Sequence, residues 1–243
     1  MNSDFVIKSY ILGSLLSTTL IGPSTPRKLV AFGAGNQIVA HLDLFIRHFP
    51  SISDCTIINR TINARSDSLK ETIKARFNHI NLYVISSSQD SARCEMEDAV
   101  RSADVIICAT SSTVPLFPSI WVRTGTHVIL IGSFTPAMRE VERELVLRAL
   151  PGCLLVDSRK ACLEEAGELI DAGLEAQELT EIGELVLDEG RDGRLSKKDI
   201  TLFKSVGVGL QDVAVACAVV SRHMALLSRS DVGTVIEDYD CLT

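Results

Sequence analysis

The chain has 243 residues, 46% of them apolar, and a mean hydropathy of +0.23, enough for a buried core and one or two domains. The formal charge of −7 and pI near 5.3, with no cluster of Lys and Arg, exclude a nucleic-acid surface and leave a small molecule as the expected partner. Seven Cys, odd in number and widely spaced, with no C-x-x-C and no paired His, read as reduced, buried thiols of a cytoplasmic protein and give no metal site.

Residues 6–22, VIKSYILGSLLSTTLIG, lean apolar and carry Lys8, so a secretory signal is one reading of the pattern. Asp4 and the scattered Ser and Thr weigh against it, and the segment is too polar to span a bilayer. The preferred reading is a helix packing Ile11, Leu15, Leu16 and Leu20 on the body of the protein. After the break at residues 22–26, short apolar runs alternate with longer amphipathic stretches, the rhythm of βαβ units. Strands are predicted at about 28–33, 55–60, 82–86, 104–110, 127–133 and 153–158, and helices at about 36–48, 64–77, 90–102, 138–149 and 159–171. The strands are apolar at nearly every position, so helices should cover both faces of a parallel sheet; the expected fold is a doubly wound α/β sheet. Residues 172–199 are acidic, then turn-rich, and read as a surface connection. A short strand-like run, a glycine turn and a helix from about 209 to 227 follow.

The first strand runs into Gly33-Ala-Gly35 and then a helix, a spacing that permits a tight turn and close backbone approach to a pyrophosphate. The third small residue of that fingerprint is replaced by Ile38. The second strand ends in Asn59, Arg60 and Thr61 with no acid. A carboxylate there would accept from a ribose 2′-hydroxyl, whereas Arg attracts a 2′-phosphate, so NADPH is expected over NADH. Thr110, Ser111 and Ser112 follow the fourth strand and Gly132, Ser133 and Thr135 the fifth, at the carboxyl ends where such sheets bind ligands. Lys204 and Asp212 flank the later glycine turn and are candidates for chemistry, each with a structural reading of equal weight. The five His share no ligand spacing, and Asp157 reads as a cap for the following helix.

Seven motifs, FGAGNQ, IINRT, ADVIICATSSTVPLF, WVRTGTH, IGSFTPAMRE, VDSRKACLEEAGEL and DITLFKSVGVGLQD, occur in the order and spacing of the ornithine cyclodeaminase/mu-crystallin family. Over about residues 10–225 the chain resembles that family. The resemblance implies a Rossmann domain binding a dinucleotide, with cofactor contacts at Gly33, Gly35, Asn36, Gln37, Asn59, Arg60, Thr61, Ala109, Thr110, Ser111 and Ser205. It also implies a substrate and dimerisation domain built largely from an N-terminal region of which this chain carries a remnant. The expected domains are 1–26 as that remnant, 27–205 as the Rossmann domain and 206–243 as a C-terminal helix and tail.

Two departures from the family pattern shape the expected activity. Phe134 stands where the family's cyclodeaminases place an acid/base Asp, and phenylalanine cannot move a proton. The stub from 1 to 27 offers only Lys8 and Arg27 where the family grips a substrate carboxylate. The leading expectation is an NADPH-dependent reductase of a cyclic imino acid. Two alternatives are a non-catalytic dinucleotide-binding protein and an ornithine cyclodeaminase-type cyclase. A homodimer is possible, with no nucleic-acid or membrane partner.

Overall fold

The computed structural model describes residues 3–187 and 199–225. In chain order the elements are α1 (Ser3–Ile21), β1 (Lys28–Phe32), α2 (Asn36–His48), β2 (Asp54–Asn59), α3 (Ala64–Arg76), β3 (Asn81–Ser86), α4 (Arg93–Ser102), β4 (Val105–Cys108) and β5 (His127–Leu130). Then come α5 (Arg143–Arg148), β6 (Leu154–Val156), α6 (Arg159–Glu165), α7 (Gly167–Ala172), β7 (Thr180–Glu181), α8 (Ile182–Leu187), β8 (Thr201–Lys204) and α9 (Gly209–Ala225). The β strands form one sheet of eight in the order β3-β2-β1-β4-β5-β8-β6-β7, with every pair parallel. Residues 1–208 make one compact unit, and the chain from Gly209 onward makes a second. No helix among the described residues is long and apolar enough to cross a membrane.

The apolar strands divide their side chains between two cores, as expected for a doubly wound sheet. Leu29, Ala31, Val105, Ile107, Ile129 and Phe203 face α2 and α3, whose Leu42, Phe45, Leu69 and Ile73 are buried there. Val30, Phe32, Ile106, Cys108, Val128 and Leu130 face the other way, toward Val100 of α4, Leu145 of α5 and Leu169 of α7. Burying a large aliphatic side chain contributes roughly 1.5–3 kcal/mol, so both faces supply the main driving force. The strand order reverses direction at β1, which has β2 on one side and β4 on the other, and this opens a crevice at the carboxyl ends of β1 and β4.

Several sequence expectations are corrected by tertiary contacts. In α1, Ile11 is buried and Leu15 and Leu20 are partly buried, but Leu16 points outward; the inward stripe is completed by Ser14, Ser17 and Thr18, all fully buried. The predicted helix at 138–149 shortens to α5 because residues 138–140 spend their backbone groups on neighbours: Arg139 N–H donates to Ser112 O at 2.9 Å and Leu116 N–H to Glu140 O at 2.8 Å. The predicted helix at 159–171 breaks at Ala166, and Gly167 then passes so close to the Met138 carbonyl that a Cβ would lie 1.9 Å from it. Thr180–Glu181, inside the presumed surface connection, pairs with β6 as an edge strand. Residues 188–198 of that connection, and the C-terminal tail from 226, lie outside the described residues. Cys55, Cys108, Cys153 and Cys162 are buried and in no disulfide, whereas Cys94 and Cys217 are exposed.

Candidate dinucleotide site

The glycine loop is built around a left-handed residue. Gly33 has φ +111°, donates its N–H to Ile58 O at 2.9 Å, and would bring a Cβ to 2.9 Å from Ala109 O. Gly35 is the N-cap of α2, with no side-chain cap; a Cβ placed on it meets nothing within 4 Å, and the first turn carries no acid. The start of this 13-residue helix, its positive end, is therefore uncrowded at Gly35. Ile38, the residue that departs from the glycine fingerprint, is fully buried between α2 and the sheet and acts as core.

At the end of β2 the loop is held by its backbone, leaving its side chains outward. Ser87 N–H donates to Asn59 O, and Ser86 Oγ and Ser88 N–H both donate to Arg60 O, at 2.9, 3.0 and 3.1 Å. Asn59 Nδ2 donates to Thr61 O at 2.8 Å, and Asn63 caps α3 through its side chain. Arg60 and Thr61 are exposed, and the Arg60 guanidinium forms no ion pair among the described residues.

Between the glycine loop and β5 lies a cleft of about 470 Å³. Gln37 borders it from α2, Ala109, Thr110 and Ser111 from the end of β4, and Ile131, Gly132 and Phe134 from the end of β5; Glu165 and Val206 complete the wall. Gln37 Oε1 is buried without a hydrogen-bond partner among the described residues, an acceptor that a bound group would satisfy. Phe134 is half-exposed at the mouth, so the position of the family's acid is an apolar surface. The open space at Gly35, together with a Gln37 oxygen and an Arg60 guanidinium that have no hydrogen-bond or ion-pair partner, respectively, among the described residues, fits a dinucleotide phosphate and its adenosine end.

Other anticipated residues stand behind the cleft. Ser205 is buried and donates its hydroxyl to Asp157 Oδ2 at 2.6 Å, and it is Val206 that lines the cleft. The same Asp157 oxygen accepts from Val206 N–H at 3.1 Å and Gly207 N–H at 2.8 Å, so Asp157 fixes the glycine turn; the helix cap expected of it is supplied by Ser158, whose Oγ accepts from Ala161 N–H. Lys204 is fully buried, with Nζ donating to Ser133 O and ion-paired to Glu168 Oε1 at 3.1 Å. Asp212 lies in the first turn of α9, in the second unit.

Sequence reasoning missed Glu140. Its carboxylate is fully buried and bonded to Thr110 and Gly132, and burial pushes its pKa up to about 7 against the pull of Lys204 and the Thr110 amide. Nothing local marks it, because its partners are 30 and 8 residues away. His41 and His127 were likewise silent in the sequence; both are buried against α1. Among the described residues, no group of three or more His, Cys, Asp or Glu is placed to hold a metal ion.

The ornithine cyclodeaminase/mu-crystallin family model matches residues 15–225. Ketimine reductase mu-crystallin of Macropus fuliginosus is 32% identical over 203 residues, which are 84% of this chain and 57% of that protein. A Δ1-pyrroline-2-carboxylate reductase of Bacillus cereus is 38% identical over 124 residues, 49% of this chain and 37% of that protein. The structure of Thermococcus litoralis Δ1-pyrroline-2-carboxylate reductase in complex with NADH and L-proline superposes with a TM-score of 0.78 at 23% identity, over 96% of this chain and 68% of that one, which establishes the shared fold. The chain thus spans a little over half the length of the mu-crystallin it matches. With the family model covering most of its length and the parallel sheet shared, the chain belongs to the ornithine cyclodeaminase/mu-crystallin family.

Proposed function

We propose that this protein reduces a cyclic imino acid with NADPH. The observation that carries the reading is the cleft, in which an anion-ready glycine loop on one side faces an apolar wall with one carboxylate on the other. Gly33, Gly35, Asn36 and Gln37 would hold the pyrophosphate, and Ala109, Thr110 and Ser111 would flank the dinucleotide. Asn59, Arg60 and Thr61 would take the adenosine ribose, with the Arg60 guanidinium on its 2′-phosphate. Ser205 contributes through Asp157, which sets the turn that brings Val206 to the nicotinamide end. A bound NADPH supplies the hydride that passes to the imine carbon.

This chain's own side chains then have three tasks. Ile131, Phe134 and Val206 exclude water from the hydride path. Glu165, the one ionisable side chain among the described residues lining the cleft, offers a negative charge to the protonated imine nitrogen. Phe134 withholds the acid a deaminating cyclisation would use, which favours reduction. Loss of absorbance at 340 nm with NADPH and Δ1-pyrroline-2-carboxylate or its six-membered homologue tests the reading; NADPH binding without turnover of either would leave dinucleotide binding as the activity.

Several finer readings go with it. Residues 27–205 would form the dinucleotide-binding domain, 1–26 a segment of the substrate domain docked on it, and 206–243 a C-terminal helix and tail, supported by the packing of α1 on α2, β5 and β8. A homodimer is supported by Leu12 and Leu16, left exposed on α1. A cytoplasmic location is supported by the thiols that form no disulfide. Light scattering and fractionation test these two.

A further inference from the structure

Glu140 touches both strand ends that build the cleft floor. Its Oε1 accepts from Thr110 N–H at 2.6 Å and from Thr110 Oγ1 at 2.8 Å, while Oε2 accepts from Gly132 N–H at 2.8 Å. Thr110 follows β4, Gly132 follows β5, and both line the cleft, whereas Glu140 itself is fully buried behind it. The fit is close enough that a Cβ on Gly132 would lie 1.9 Å from Thr110 O and 2.6 Å from Glu140 Oε1. Lys204 extends the arrangement from β8 by holding Ser133 O and Glu168. A buried carboxylate is costly unless its oxygens are fully engaged, and hydrogen bonds to an ionised acceptor are roughly twice as strong as neutral ones. One carboxylate therefore ties together two strand ends beyond the paired register, which stops at Cys108 and Leu130 and is followed by one backbone bond from Ile131 N–H to Cys108 O at 2.9 Å.

We propose that Glu140 is a positioning residue of the dinucleotide site, its carboxylate holding the ends of β4 and β5 at the separation the cofactor requires. The proposal rests on the reading of the cleft as a dinucleotide site. Glu140→Gln turns an amide donor toward one of the amides the carboxylate accepts from, and Glu140→Asp is too short to reach both strands.

The test is fluorescence titration of the full-length chain with NADPH, together with hydrogen exchange at the Thr110 and Gly132 amides of the free protein. E140Q is expected to weaken NADPH binding about tenfold or more and to speed exchange at both amides, with E140D intermediate. Should E140Q fail to fold, T110V, which removes only the hydroxyl donor, is expected to weaken binding about threefold while T110S retains it. Wild-type affinity in a folded E140Q, or T110V indistinguishable from T110S, overturns the positioning role. Wild-type protein that binds neither NADPH nor NADH overturns the dinucleotide reading instead, whatever the exchange rates show.

Discussion

Two buried polar clusters do different work in this molecule. At the carboxyl ends of β4 and β5, Glu140, Lys204 and Glu168 are charged groups packed behind a cleft. Under α1 the buried groups are hydroxyls and imidazoles, with His41 held neutral by burial: His41 Nε2 lies 2.9 Å from Ser14 Oγ, and His127 Nε2 lies 3.2 Å from Ser17 Oγ. Because His41 Nδ1 sits 2.7 Å from the Gln37 carbonyl, that nitrogen carries the proton, and Nε2 accepts from the Ser14 hydroxyl. Ser17 Oγ donates to Ser14 O at 2.8 Å, so His127 Nε2 donates to Ser17, and its Nδ1 lies 2.8 Å from Thr201 Oγ1. The charged cluster fixes backbone amides at strand ends, where a shift of position changes the cleft. The cluster under α1 fixes one helix on a sheet, where a shift changes only packing.

The largest expected effect breaks the charged cluster. Gly132→Ala drives a methyl into the Thr110 backbone at 1.9 Å, and a loss on the order of 4 kcal/mol, or failure to fold, is expected in urea denaturation. An unchanged midpoint would mean that the strand ends move apart without cost.

The two clusters should also oppose each other in pH. Burial lowers His41 from 6.5 to about 4, so its neutral form is favoured in the fold; stability is lost as pH falls from about 6.5 toward 4, by up to roughly 3 kcal/mol. Burial raises Glu140 from 4.5 to about 7, so the fold binds its proton more tightly than the unfolded chain does. Stability from that group is full below about pH 4.5 and lost as pH rises through 7, again by roughly 3 kcal/mol. Urea unfolding across pH 4–8 should show His41→Phe flattening the acid side and Glu140→Gln flattening the neutral side. A variant that leaves its own limb unchanged would show that its group does not titrate as stated.

A third change separates binding from stability on the cleft side. Arg60→Ala removes an exposed guanidinium with no described ion pair, so NADPH affinity should fall about tenfold to a hundredfold while NADH affinity and the melting temperature hold. Equal losses for both cofactors would place the 2′-phosphate elsewhere. The smallest effect belongs to the α1 side. Ser17→Ala deletes one hydroxyl from the α1 contact and should cost about 1 kcal/mol without altering cofactor titration.

The glycine turn and the parallel sheet were legible because their signals are local: closely spaced glycines after an apolar strand, and continuous apolar runs. α1 packs on the body through Ile11, Leu15 and Leu20 as expected, but Leu16 faces outward. What the pattern did not show is that Ser14, Ser17 and Thr18 sit on the buried stripe, where two imidazoles from distant elements meet them. The helix expected at 138–149 was overextended because its periodicity continues through residues whose backbones are claimed by Ser112 and Leu116, and the one expected at 159–171 is interrupted at Ala166, beside the close approach of Gly167 to Met138.

By itself the sequence determined the fold class and the family, through apolar runs and motifs that are each only a few residues long. Only the tertiary structure decided that Lys204 is sealed in an ion pair, that Asp157 holds the glycine turn, and that Glu140 bridges two strand ends. A buried charge takes its meaning from the donors that surround it, and chain folding brings those donors from tens of residues away.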